Sequence, residues 1–195
     1  MLYIFDFDYT LFDTAGFKSG FCGLLDQLVY DPENLKLDYF KKNKIHYNIK
    51  EHLGILGKNL KDRRQARITL ENFLSDLRNY VFSGAKELLA KLQSGGHGLV
   101  LISLGNIGFQ KAKVRGSGLE KFFEKMIFAN DSKGSVLRKM TDREEEVIIV
   151  NDNARESLEM MKFFNNPKLF LVRGPYSQND KNFKSHSLEE ILNFE

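Results

Sequence analysis

Two carboxylates one residue apart, Asp6 and Asp8, follow the apolar run Leu2-Tyr3-Ile4-Phe5 and open the stretch Asp6-Phe7-Asp8-Tyr9-Thr10-Leu11-Phe12-Asp13. Successive side chains of a strand alternate between faces, so an extended chain turns both carboxylates the same way at the strand's carboxyl end. Acids that close repel each other unless a cation or a shared proton intervenes. The residues therefore allow a catalytic carboxylate pair. They also allow a simple turn, because Asp and Thr bond readily to nearby backbone.

Three later stretches bear on that choice. Leu99-Val100-Leu101-Ile102-Ser103-Leu104-Gly105-Asn106 is an apolar run ending in a hydroxyl and a glycine. Lys133 stands in Asn130-Asp131-Ser132-Lys133-Gly134. Val147-Ile148-Ile149-Val150-Asn151-Asp152-Asn153-Ala154-Arg155-Glu156 is an apolar strand followed by two acids four residues apart. In this order, and over nearly the whole chain, the four stations resemble the signature of the haloacid dehalogenase superfamily. The closest resemblance is to its phosphatase branch with a helical cap inserted after the first motif, similar to phosphoglycolate phosphatases. One departure stands out: Asn151 occupies a place that usually holds Gly or Asp, and Glu156 stands where Asp is more frequent.

The resemblance implies a chemistry for these residues. Asp6 would attack phosphorus and form an aspartyl-phosphate. Asp8 would protonate the leaving oxygen and then deprotonate the hydrolytic water. Mg²⁺ would bind Asp6, the Asp8 backbone carbonyl, Asp152 and, directly or through water, Glu156. Thr10, Ser103 and the backbone near Gly105 and Asn106 would hold phosphoryl oxygens, and Lys133 would neutralise charge. The dehalogenases of the superfamily lack an acid at the place of Asp8, which favours hydrolysis of a phosphate monoester of a small metabolite. The same intermediate would also serve a phosphotransferase or phosphomutase, and a catalytically silent phospholigand-binding protein would keep the fold.

The 195 residues can bury a good core. No apolar run approaches the roughly 20 residues of a membrane span. Cys22 is the single cysteine, so no disulfide framework forms, which fits a reducing cytoplasm. The expected partner is a small phosphorylated metabolite, with neither nucleic acid nor membrane, for a monomer or homodimer. The net charge of +3 resides between Thr14 and Phe82, which carry twelve basic and eight acidic residues. That basic segment is either a solvated surface or a lid over an anionic substrate.

Strands are expected at Leu2–Phe5, Leu99–Ser103, Met126–Ala129, Val147–Asn151 and Leu169–Val172, alternating with helices at Ala85–Gln93, Gly108–Val114, Val136–Met140 and Arg155–Phe164. This pattern gives an α/β fold, a Rossmann-like parallel sheet covered by helices on both faces. Its ligand site lies beyond the carboxyl ends of the strands. Residues 14–82 show no strand and read as four helices, Gly16–Tyr30, Asn34–Lys41, His46–Leu56 and Lys58–Tyr80. They form a small all-α cap on a core of residues 1–13 and 83–195. On Lys58–Tyr80, Arg63 and Arg67 continue the stripe of Leu70, Leu74 and Leu77. They either snorkel at the rim or reach over the cleft to an anionic part of the substrate. His46, His52, His97 and His186 lack metal-ligand spacing and read as surface or packing residues.

Overall fold

The computed structural model describes residues 1–32, 39, 46–130, 132–137, 146–179 and 182–194. One wholly parallel sheet runs in the order β3-β2-β1-β4-β5-β6. Its strands are β1 (Leu2–Phe5), β2 (Gly98–Leu104), β3 (Lys125–Ala129), β4 (Val147–Asn151), β5 (Lys168–Val172) and β6 (Ser185–His186). The expected strands are all present. The edge strand β6 was not expected, because two residues, Ser and His, leave no apolar run to read.

All four residues of β1 are buried, and they alternate between two cores. Tyr3 and Phe5 join Leu99, Leu101, Ile148 and Val150 on one face. Leu2 and Ile4 join Val100, Ile102, Val147 and Ile149 on the other. Burying each such side chain is worth about 1.5–3 kcal/mol, which is why the central strand holds its register.

The helices are α1 (Thr14–Gln27), α2 (Ile49–Leu56), α3 (Arg63–Ser75), α4 (Ala85–Ser94), α5 (Ile107–Ser117), α6 (Lys133–Leu137), α7 (Ala154–Met161) and α8 (Leu188–Phe194). Among the described residues none is long and apolar enough to cross a membrane. The expected helix Lys58–Tyr80 is interrupted. Asp62 caps α3 by accepting from the Gln65 amide at 2.9 Å, and extended Asp76 ends it before a 3₁₀ turn over Arg78–Tyr80. Similarly, Asp13 caps α1 through the Gly16 amide at 2.9 Å, which starts that helix at Thr14 rather than Gly16. The expected Asn34–Lys41 helix lies outside the described residues except for Tyr39, as does the part of Val136–Met140 beyond Leu137.

Helices α1 and α3 are joined to α5 by aromatic packing. Phe17 lies 5.9 Å from Phe73 and 6.0 Å from Phe109 of α5, and Phe21 lies 6.1 Å from Phe109. At the other end of α5, the Leu77 amide donates to the Gly116 carbonyl at 2.8 Å. A Cβ at Gly116 would sit 2.0 Å from the Leu74 carbonyl oxygen, so this approach requires glycine.

Candidate active site

β1 stops at Phe5, although the Asp6 amide still donates to the Val150 carbonyl at 2.9 Å. Beyond it the chain turns, and Tyr9 adopts a φ of 62°. The two carboxylates open on one cleft but take different neighbours. Asp6 turns to α6 and α7, and Asp8 to α1 and α5. Both line one cleft of about 330 Å³, with Lys133, Asp152 and Glu156.

Asp6 is 8% exposed and receives the Lys133 ammonium at 2.7 Å. Burial pushes its carboxyl up to about 6, the nearby charge of Lys133 opposing and those of Glu156 and Asp8 adding. Lys133 is itself buried, which disfavours its charge, yet Asp6 and Glu156 hold its pKa above the ordinary value. Glu156 Oε2 accepts from Lys133 at 2.6 Å and from Asn151 Nδ2 at 3.0 Å. The Glu156 carboxylate thus orients Lys133 while lining the cleft. It also accounts for Asn151, because an acid there would set a second negative charge against Glu156.

Asp152 follows β4 and is 2% exposed. Its amide donates to Thr10 Oγ1 at 3.0 Å, and that hydroxyl donates to Asp152 Oδ1 at 3.4 Å. Thr10 is thus a clamp on Asp152. Burial and the charge of Asp6 push Asp152 up to about 7. Gly174 presses on this acid from β5's side, where a Cβ would lie 3.0 Å from Asp152 Oδ2.

Asp8 has a different set of neighbours, and sequence reasoning missed them. Its Oδ1 receives Lys113 Nζ at 2.5 Å and Thr14 Oγ1 at 2.6 Å, and its Oδ2 receives Gln110 Nε2 at 2.9 Å. Burial works against ionisation, but the charge and hydrogen bond of Lys113, with Thr14 and Gln110, keep the carboxyl below its ordinary value. Lys113 is 3% exposed and lies 5.5 to 5.7 Å from the ring centroids of Phe7, Phe12, Phe17 and Phe109. The available signal was Gln110 and Lys113, three residues apart on the buried stripe of α5 with Val114 and Ser117.

Among the remaining candidates, Ser103 is 1% exposed and its hydroxyl has no hydrogen-bond partner. The Gly105 amide is engaged by the Ala129 carbonyl at 2.8 Å, so it does not face a phosphoryl oxygen. Asn106 lines the cleft and caps α5 through the Phe109 amide at 3.0 Å. Arg63 and Arg67 do not line the cleft; they border a separate groove with Lys50, Leu53 and Arg64. Arg67 forms a solvent-exposed pair with Glu71 at 3.8 Å, so the stripe leaves the core here and the arginines snorkel to water.

Among the described residues no three His, Cys, Asp or Glu side chains converge as a metal cage. Asp6 and Asp152 nevertheless fit Mg²⁺. Both are buried acids raised first by burial, Asp152 also by the charge of Asp6 and Asp6 by those of Glu156 and Asp8, and Asp152 Oδ2 is buried without a hydrogen-bond partner. Mg²⁺ keeps several waters and commonly takes one or two carboxylates plus a substrate phosphate, so two acids and a backbone carbonyl suffice.

A family model for haloacid dehalogenase-like hydrolases matches residues 3–159. Among curated proteins no sequence matches the chain. Among solved structures, one described as a haloacid dehalogenase-like hydrolase from Burkholderia xenovorans is 18% identical, covers 100% of this chain and 95% of its own, and superposes with a TM-score of 0.75. The magnesium-bound HAD-hydrolase YfnB of Bacillus subtilis is 18% identical over 99% of this chain and 97% of its own, with a TM-score of 0.60. L-2-haloacid dehalogenase of Xanthobacter autotrophicus, with chloropropionic acid covalently bound, is 14% identical over 88% and 78% of the two chains, with a TM-score of 0.54. At these identities the likeness is one of fold.

Proposed function

The chain belongs to the haloacid dehalogenase-like hydrolases, and on that premise we propose that it is a Mg²⁺-dependent phosphatase of small phosphorylated metabolites. The observation that supports this most is the pair of unlike acids in one cleft: Asp6 beside Lys133, and Asp8 held by Lys113, Gln110 and Thr14. A haloacid dehalogenase needs the nucleophile without the second acid. We read residues 14–82 as the cap and residues 1–13 with 83–195 as the core.

In the first half-reaction a carboxylate oxygen of Asp6 bonds to phosphorus, the bond from phosphorus to the alcohol oxygen breaks, and that oxygen takes a proton from Asp8. The Lys113–Asp8 pair carries this proton, because the ammonium donates directly to the carboxylate. In the second half-reaction Asp8 receives a proton from water as its oxygen attacks phosphorus, freeing Asp6 and inorganic phosphate. Lys133 holds Asp6 in place and offsets charge gathering on the phosphoryl oxygens, and the Ser103 hydroxyl can donate to one of them. Asp6, Asp152 and the Asp8 carbonyl would hold Mg²⁺, which supplies positive charge against the phosphoryl group.

Phosphate release from a panel of phosphorylated metabolites, with and without Mg²⁺, tests the proposal. Turnover that requires the metal supports it. Halide release from 2-chloropropionate without phosphate release, or inertness on the whole panel, overturns it. A phosphosugar in the panel separates hydrolysis from transfer, since a mutase returns an isomeric phosphosugar instead of free phosphate.

A further inference from the structure

The cleft beyond the reacting acids has aromatic walls. Phe17, Tyr47 and Phe109 form its floor, while Tyr9, Tyr176 and Lys18 form its rim. The rim is costly to build. Among the described residues only Tyr9 and Asn166 combine a side chain with a positive φ. Asparagine tolerates that conformation, whereas a bulky residue is strained in it. Backbone strain of this kind concentrates at functional sites. Tyr9 follows Asp8 directly, so the strained turn presents its ring beside the second acid.

Tyr176 reaches the same rim from the opposite side of the sheet edge. It is 44% exposed, yet it is not on a loose loop. The turn that carries it is closed by Ser177, whose amide donates to the Gly174 carbonyl at 3.3 Å. The Ser177 hydroxyl also receives the Gly174 amide at 3.2 Å and donates to the Gly174 carbonyl at 2.9 Å. Gly174 is the residue packed against Asp152, so the turn is fixed to the reaction centre. The two rings meet edge-on, with centroids 5.8 Å apart at 84°. Lys18 lies 5.5 Å over the Tyr9 ring and donates to its hydroxyl at 3.4 Å. Lys18 thereby holds the hydroxyl end of Tyr9, and the exposed ring of Tyr176 is left as the platform.

Resting on the phosphatase reading, we infer that this rim is the leaving-group subsite and selects phosphate monoesters whose alcohol carries a flat aromatic ring, the chemistry of a nucleoside monophosphate. Tyrosine suits the task because it offers a rigid amphipathic surface with two side-chain torsions to fix. A base stacked on an aromatic side chain gains sequence-independent affinity, and a ring nitrogen or carbonyl at its edge can meet the Lys18 ammonium. The volume of about 330 Å³ is at the small end of ligand sites, which suits a mononucleotide rather than a larger ester.

The test measures binding without turnover. Asp6→Asn protein in Mg²⁺ is titrated calorimetrically with adenosine 5′-monophosphate and with glycerol 3-phosphate, alone and combined with Tyr176→Ala, Tyr176→Phe or Tyr9→Asn. Asparagine keeps the left-handed turn while removing the ring. The nucleotide should bind about tenfold or more tightly than glycerol 3-phosphate. Tyr176→Ala and Tyr9→Asn should each erase most of that preference, and Tyr176→Phe should keep it. Melting curves identify any variant that fails to fold. Equal affinity for the two esters, or an unchanged preference in both ring-deletion variants, overturns the inference while leaving a phosphatase in place. If neither ester binds and the wild type releases no phosphate from any metabolite, both readings fall.

Discussion

The cleft has two sides that begin from the same pair of residues. On the side of α6 and α7, Asp6 and Asp152 are buried acids pushed up to about 6 and about 7, with Lys133 as their shared cation. On the side of α1 and α5, Asp8 has a cation and two neutral donors of its own and is held below its ordinary value. One side carries an excess of negative charge and is suited to receive a metal and a phosphate. The other is charge-balanced and suited to hold and move one proton. The lesson is that spacing in sequence sets neither pKa nor role. The second acid meets different neighbours, Lys113, Gln110 and Thr14, and those neighbours decide.

The sharpest test of this asymmetry is Asp6→Asn. Turnover should fall a thousandfold or more, the loss expected for a nucleophile. The melting temperature should not fall, because Lys133 keeps Glu156 and a crowded negative charge is gone. Activity within about tenfold of wild type would remove Asp6 from its role.

On the balanced side, Lys113→Met should destabilise the fold by about 3–5 kcal/mol, since it strands a largely buried carboxylate. Adding Asp8→Asn should restore most of the loss in denaturant titrations. If the double variant is no more stable than the single, Lys113 matters for packing on its four rings rather than for Asp8.

Asp152→Asn should raise the Mg²⁺ concentration needed for half-maximal activity by about 10- to 100-fold. Glu156→Gln should lower kcat and leave that concentration nearly unchanged, because Glu156 orients Lys133. The reverse order in a metal titration would show that Glu156 is the ligand.

The smallest effect is a pH dependence. Asp6 and Asp152 have folded values above their unfolded one, so the metal-free protein binds more protons than the unfolded chain between about pH 4 and 7. Its stability therefore falls as pH rises through that window. Mg²⁺ competes with the same protons and should stabilise more at pH 8 than at pH 5. The difference should be at least about 1 kcal/mol, or about 2–4 °C or more in melting temperature for a chain of this size. An equal shift at both pH values would place the metal elsewhere.

The sheet and the order of its stations were legible because a strand buried on both faces reads as an apolar run, and a polar residue just after one is conspicuous. Asp6, Asp152 and Ser103 stand out by that rule, whereas Lys133 lies four residues beyond β3 and is singled out only by its place in the order of the four stations. Lys113 and Gln110 were hidden because they sit mid-helix, where a lysine reads as solvated unless its stripe is traced. Thr10 was given to the substrate because nothing in sequence distinguishes a hydroxyl facing outward from one turned back onto Asp152. Arg63 and Arg67 were placed on the right stripe, but periodicity does not say which hollow a stripe adjoins.

Helix α5 has one further property, a mechanical one. At its carboxyl end Gly116 is pinned under α3, and one turn earlier Lys113 holds Asp8. It therefore behaves as a beam loaded at two points. A force that lifts α3 off Gly116 arrives at the lysine paired with Asp8 with no intervening joint, because a helix transmits axial and rotational displacement through its own backbone ladder. Docking of the helical layer and readiness of Asp8 are in this sense a single degree of freedom. A methyl group added at Gly116 would act as a wedge at one end of the beam, with its consequence read one turn away at Lys113.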